Sequence, residues 1–272
     1  MISGLVLEGM RHATKLVCAA LLLGAAVFPA PVDPGTKEVR KTVDLNPDGQ
    51  VVIDTYKGSI TVKAWDSSRV EIYARVEPDG AGRAWKEKIE ATEIRIDDSP
   101  DSVRIKTEYE KVKWLSRRSW NLFDWNDGTL PLVHYTIQMP RTARLRIKDY
   151  KSKTDIGSLR SEVDVDTYKG EVVISGLDGS LSLNTYKGEA RVRFANLARR
   201  SRFETYKGEI EIVLPRDKGF DLETEIGRHG RLDSSFEVGL KSPGKGFGSS
   251  VSGGGPVVYM KTYKGTYRLR RG

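Results

Sequence analysis

The tetrapeptide Thr-Tyr-Lys-Gly occurs five times in this chain, at residues 55–58, 167–170, 185–188, 205–208 and 262–265, and no other property of the sequence restricts the fold as much. A degenerate copy reads Asp149-Tyr150-Lys151-Ser152, and Thr224-Glu225-Ile226-Gly227 keeps only the Thr and the Gly. The step is 18 residues from Tyr150 to Tyr168 and again to Tyr186, then 20 to Tyr206 and 19 to Glu225. A period of 18–20 residues is the size of one coil of a β-solenoid. No such coil buries its own apolar face, so stability comes from stacking neighbours.

The flanks of the motif alternate. Val51 and Ile53, Val163 and Val165, Leu181 and Leu183, Phe203, Leu222, then Val258 and Met260 precede the copies at every second place. Ile60 and Val62, Val172 and Ile174, Ala190 and Val192, Ile210 and Ile212, then Tyr267 and Leu269 follow them. In a strand this period of two sends one set of side chains to an interior and the other to water. By the same parity the motif Thr points inward and the motif Tyr outward. Gly in the fourth place suits a corner that needs positive φ or a close approach of two backbones. The sequence therefore predicts an all-β chain built as a right-handed parallel β-solenoid from about Leu145 to Arg271, with Val165, Leu183, Phe203 and Leu222 in one interior column. An antiparallel β-sandwich keeps the alternation without in-register stacking and stands as the alternative.

Residues 63–148 lack the period and are expected to form irregular β structure, against regular coils over 149–271, the two making one domain from 36 to 271. Residues 82–93 are the one stretch expected to form a short helix. Residues 113–128 carry Trp114, Trp120 and Trp125 among charged side chains and read as a long aromatic loop or hairpin tip. The Gly-rich stretch 243–255 reads as a loop before the last coil.

The first thirty residues form a separate unit. Arg11, His12 and Lys15 precede an apolar run over 16–28 that ends among small residues, the pattern of a signal peptide, with Met10 as an alternative start. The run is short of the ~20 residues a spanning helix needs, which leaves an N-terminal anchor as the lesser reading. The single cysteine, Cys18, lies inside it, so the exported part is expected to have no disulfide. Net charge is +8 and falls only to +7 without residues 1–30, because Glu8 offsets one of Arg11 and Lys15. Outside the cytoplasm the polyanions that such a surface meets are lipid headgroups, envelope phosphates and acidic glycans, and nucleic acid is not expected as a partner.

Tyr135-Thr136-Ile137-Gln138-Met139-Pro140 followed by Leu145-Arg146-Ile147, the Gly-centred coils, and Gly254-Gly255-Pro256 leading into the last copy resemble bacterial exported adhesin-like domains of unknown function, among them the auto-transporter adhesin head-type β-solenoids. The resemblance spans about Val39 to Arg271. It implies a β-solenoid and a role in adhesion, and it brings no catalytic residues.

Outside the N-terminal unit the histidines are His134 and His229, and neither has a partner at metal-ligand spacing. The stretch 244–249 lacks the Gly-Lys-Ser/Thr ending of a phosphate loop, and no Gly-x-Ser-x-Gly elbow occurs. No catalytic residue, metal or cofactor is expected. The remaining candidate is a stripe of Tyr150, Tyr168, Tyr186 and Tyr206 with Lys169, Lys187 and Lys207, joined by Trp114, Trp120 and Trp125, since aromatic faces and ammonium groups suit sugar rings and anionic polymers. The competing reading is structural: a tyrosine ladder gains cross-strand packing, and Glu171, Glu189 and Glu209 stand two places after their lysines to neutralise them. The function expected is a non-catalytic, exported, adhesin-like module for an anionic glycan, a lipid headgroup or another envelope polymer, at the periplasm, the cell surface or outside the cell. A self-associating envelope scaffold is the alternative, and a β-helix polysaccharide-active enzyme is a distant third.

Overall fold

The computed structural model describes residues 35–80, 85–118, 129–238 and 247–272. The expected signal segment with Met10 and Cys18, and Trp120 and Trp125, lie outside them. The order begins β1 (Lys37–Asp44), β2 (Gln50–Asp54), β3 (Lys57–Trp65), β4 (Arg69–Glu77), α1 (Trp85–Ala91), β5 (Glu93–Ser99), β6 (Ser102–Glu108), α2 (Glu110–Arg118) and β7 (Leu132–Pro140). It continues with β8 (Arg144–Asp149), β9 (Lys151–Ile156), β10 (Glu162–Thr167), β11 (Glu171–Thr185), β12 (Glu189–Leu197), β13 (Ser201–Thr205) and β14 (Glu209–Leu214). Last come β15 (Phe220–Ile226), β16 (Arg231–Ser234), β17 (Phe247–Val251), β18 (Val257–Thr262) and β19 (Thr266–Arg271).

The chain is all-β, and its strands join into one nearly closed, barrel-like sheet of mixed pairing. One wall carries the strands that end at the motif, in the order β6, β2, β8, β10, β11, β13, β18, β15, all paired in parallel. The other carries the strands that leave it, β7, β3, β9, β11, β12, β14, β19, β16, also in parallel. Antiparallel strands flank these runs: β5 on β6, β17 on β15, and β4 and β1 beyond β7. The long strand β11 serves both walls and changes register around Gly176, whose φ of 71° suits a residue without Cβ.

The predicted parity holds. Ile105, Ile53, Ile147, Val165, Leu183, Phe203 and Met260 stand in one register across successive strands and are essentially inaccessible to water. Leu222 is buried too, but it stands beside Val258 in the neighbouring column, and Met260 takes the place next to Phe203. The cause is a shift of two residues in the weakest copy, since Ile226 and not Thr224 stands beside Thr262. Spatial order also departs from chain order. The last motif copy, on β18 and β19, is inserted between the Tyr206 level and the level made by β15 and β16, and the first copy, on β2 and β3, lies between the β6–β7 level and the Tyr150 level.

Residues 63–148 supply β4 to β7 and most of β8, and β6 and β7 extend the parallel runs. The helix expected near 82–93 is α1. A second helix, α2, occupies residues expected to open an aromatic loop, with an apolar face in which Val112 is buried. In the stretch 243–255, β17 is a strand, and Gly253, Gly254 and Gly255 at positive φ turn the chain into β18. No helix among the described residues is long and apolar enough to cross a membrane.

Candidate functional site: a tyrosine and lysine column

Each motif is the corner between the two walls, and its residues divide the work. The Thr side chain is buried, at 7% exposure or less in all five copies. In four of them its Oγ1 accepts the N–H of the motif Gly three residues on: Gly170 to Thr167 at 3.0 Å, Gly188 to Thr185 at 2.8 Å, Gly208 to Thr205 and Gly265 to Thr262 at 2.7 Å. This local bond satisfies a buried donor that the corner takes out of the sheet ladder. In the degenerate copy the Asp149 carboxylate substitutes, accepting the Ser152 N–H at 2.6 Å. In the first copy the Thr55 hydroxyl instead bonds Thr107, which bonds the Tyr135 hydroxyl.

The motif glycines answer a question of space. Positive φ occurs only at Gly58 among them. A Cβ on Gly265 would meet the Gly208 carbonyl oxygen at 2.5 Å, and one on Gly188 or Gly208 would press still closer on the glycine carbonyl of the preceding level. Stacked corners therefore approach closely enough to exclude any side chain.

With the corners in register, the outward tyrosines stack. Ring centroids lie 4.8 Å apart from Tyr56 to Tyr150, 4.9 Å to Tyr168, 4.8 Å to Tyr186, 4.8 Å to Tyr206 and 5.3 Å to Tyr263, with interplanar angles of 5°, 9°, 5°, 6° and 15°. The distance is the spacing of neighbouring strands. Tyr109, at the start of α2, packs edge-on against Tyr56 at 6.4 Å and 74° and closes that end. Tyr150, Tyr168, Tyr186 and Tyr206 are thus brought together as predicted, but the faces of these rings are covered by one another. Only their edges and hydroxyls meet water, which corrects the expectation of aromatic faces open to sugars.

The two flanks of the stack differ. On one side the residue before each Thr faces a groove along the rings, and the series Asp54, Lys148, Asp166, Asn184, Glu204 and Lys261 is mixed in sign. On the other, Lys151, Lys169, Lys187, Lys207 and Lys264 are exposed and uniform in sign. The ammonium groups of Lys169, Lys187 and Lys264 lie 5.5, 5.4 and 5.5 Å from the centroids of their tyrosines. Among the described residues none of these five lysines forms an ion pair. The neutralisation expected of the glutamates goes elsewhere: Glu171 pairs with Lys153 at 3.7 Å and Glu209 with Arg268.

Trp114 stands on α2 and is 57% exposed, five residues after the tyrosine that closes the stack. His134 Nδ1 lies 2.8 Å from Ser59 Oγ, and His229 is exposed in the turn after β15. Among the described residues no group of three or more His, Cys, Asp or Glu could hold a metal ion. Sequence reasoning missed Tyr109, which follows no Thr-Tyr-Lys-Gly copy and takes its place only because α2 replaces the tight corner at that level.

No protein-family model matches the chain, and no curated protein matches it. Solved structures do. A "putative cell adhesion protein" from Clostridium sporogenes ATCC 15579 is 14% identical, with 87% of this chain and 100% of that one covered and a TM-score of 0.50. A "putative adhesin" from Bacteroides fragilis NCTC 9343 is 14% identical over 89% and 100% with a TM-score of 0.37. A "putative lipid binding protein" from Parabacteroides distasonis ATCC 8503 is 10% identical over 85% and 96% with a TM-score of 0.29. The first of these shows a shared fold.

Proposed function

We propose that the chain is an exported, adhesin-like and non-catalytic module whose motif levels form a right-handed parallel β-solenoid, and that it binds an anionic polymer of the cell envelope along the lysine column. The observation that carries this reading is the set of five exposed lysines in one register without a carboxylate partner among the described residues. Their backbone positions repeat at the strand spacing of about 5 Å, and two ammonium groups brought to that separation would repel by about 0.8 kcal/mol even in bulk water. A surface polymer with anionic groups at sugar or phosphodiester spacing relieves that repulsion. The cell adhesion name of the Clostridium structure agrees with a binding role.

The scaffold reading is less well supported. At one end of the two walls the edge strands are charged, β1 with Lys37, Glu38, Arg40 and Lys41 and β5 with Glu93, Arg95, Asp97 and Asp98, whereas β17 at the other end carries no charge. Charged edge strands oppose pairing with another chain.

The test is binding of polygalacturonate and, in a second arm, of phosphatidylglycerol vesicles to the protein and to a Lys169→Gln/Lys187→Gln/Lys207→Gln variant. The reading expects binding that weakens with salt within a Debye length of ~8–10 Å, and a loss of most of it in the variant at unchanged thermal stability. Equal binding by the variant contradicts it.

A further inference from the structure

The tyrosine stack is closed at Tyr56 and open at Tyr263. Beyond Tyr263 lies one more level, made by β15 and β16, and the residue it places beside Tyr263 is Gly227, which follows Ile226 in register with Thr262 and donates its N–H to the Thr262 carbonyl at 2.8 Å. That level therefore supplies no seventh ring to the stack. Tyr263 is accordingly 51% exposed, against 37–39% for Tyr56, Tyr168, Tyr186 and Tyr206. The Lys264 ammonium lies 5.5 Å from the centroid of Tyr263, as far as the Lys169 ammonium lies from that of Tyr168.

The gap opens into a cleft of about 610 Å³ that Glu204, Asn184, Lys261 and Glu225 line with Ile226 and Tyr263. Glu225 and Lys261 are paired at 2.9 Å, and Glu204 is paired with Arg202. We infer that this end of the stack is a subsite for one uncharged pyranose ring of a glycan, which lays its C–H face on Tyr263 and turns its hydroxyls to Glu225 and Lys261.

An aromatic face with a rim of both donors and acceptors matches a pyranose, which is apolar on one face and ringed by hydroxyls. Glu225 and Lys261 neutralise each other, as Glu204 and Arg202 do, so the cleft offers no net positive charge to an anionic sugar. A second copy's stack cannot continue this one in the same direction, because the opposite end is capped edge-on by Tyr109. The subsite makes no use of Lys169, Lys187 or Lys207.

The experiment follows tyrosine-ring resonances of the ¹³C-Tyr-labelled protein during titration with methyl glycosides of glucose, galactose, mannose and N-acetylglucosamine, with polygalacturonate as the anionic arm and argininamide and tyrosinamide as the peptide arm. At least one neutral glycoside is expected to shift the Tyr263 signals, assigned by Tyr263→Phe, while Tyr168 and Tyr186 stay in place. Tyr263→Ala is expected to bind that glycoside about tenfold more weakly, and Lys169→Gln/Lys187→Gln/Lys207→Gln to bind it unchanged. The inference is overturned if no neutral glycoside moves Tyr263, if all six rings shift alike, if only an amide of the peptide arm binds, or if Tyr263→Ala binds as the wild type does. The wild-type titration decides the matter even if Tyr263→Ala fails to fold.

Discussion

Tyr186→Ala removes one ring from the middle of the stack and asks whether the column holds the fold together or merely decorates it. Tyr186 is 37% exposed, so nearly two thirds of its surface is covered, by Tyr168 on one face and Tyr206 on the other. For a side chain of about 200 Å² that cover is about 125 Å², and at ~25 cal/mol per Å² it stabilises by about 3 kcal/mol. Each of the two stacked contacts adds about 1 kcal/mol, part of which returns as the neighbouring rings settle into the gap. The expected cost is about 3–4 kcal/mol. Lys187→Gln, one residue on, leaves the rings in place and relieves like-charge repulsion, so it should lie within about 0.5 kcal/mol of the wild type. Urea titration of both variants, read by far-ultraviolet circular dichroism with m held as a check on compactness, separates them. A Tyr186→Ala protein within about 0.5 kcal/mol of the wild type at unchanged m would refute the reasoning, because the rings would then contribute no more than solvated side chains do.

Two further substitutions address the corner itself. Thr205→Val keeps the volume but removes the acceptor of the buried Gly208 N–H at 2.7 Å, and should cost about 1–3 kcal/mol by urea titration, whereas Thr205→Ser should cost far less; equal costs would show that the Thr acts through packing alone. Asp149 is 8% exposed, and burial pushes its carboxyl above the usual 3.8 against hydrogen bonds from Thr167 and Ser152 that pull it down. The folded protein thus holds that proton more tightly than the unfolded chain, so the stability this group contributes is full below about 3.8 and is lost as pH rises through the folded value. Asp149→Thr, which restores the residue of the other copies, should raise Tm at neutral pH and flatten the acid-to-neutral slope, and an unchanged slope would contradict that assignment.

The parity of the corner was legible because it is local. Thr167, Thr185 and Thr205 share a phase with Val165, Leu183 and Phe203, and burial follows from that phase alone. The stacking of Tyr168 on Tyr186 and Tyr206 follows from the repeat length. The order of the levels was not legible, since β18 and β19 carry a motif copy as good as any other and nothing in 257–271 states which neighbours it takes. That choice is a long-range pairing, set by the chain between β15 and β18 and by the weak copy at Thr224. There the alignment of Thr with Thr misleads by two residues, and so it hid both the place of Leu222 and the missing seventh ring at Gly227. The reason for the motif glycines was half visible: sequence allowed positive φ or close approach, and all five serve close approach, Gly58 with a positive φ as well. The helix α2 was obscured because its aromatic and charged residues run on into 119–128.

The order of levels at the open end carries both the length of the tyrosine column and the site at Tyr263, and paired cysteines test it directly. Glu204 stands beside Lys261, and Lys261 beside Glu225. Cα atoms on adjacent strands lie about 4.8 Å apart and those two strands apart about 9.6 Å, on either side of the ~7 Å limit for a disulfide. With Cys18 removed, Glu204→Cys/Lys261→Cys is predicted to oxidise to an intramolecular disulfide in the native protein, and Glu204→Cys/Glu225→Cys to remain reduced. Formation of the 204–225 bond and not the 204–261 bond would place β13 beside β15 in simple chain order, and would contradict the inserted last level on which the site rests.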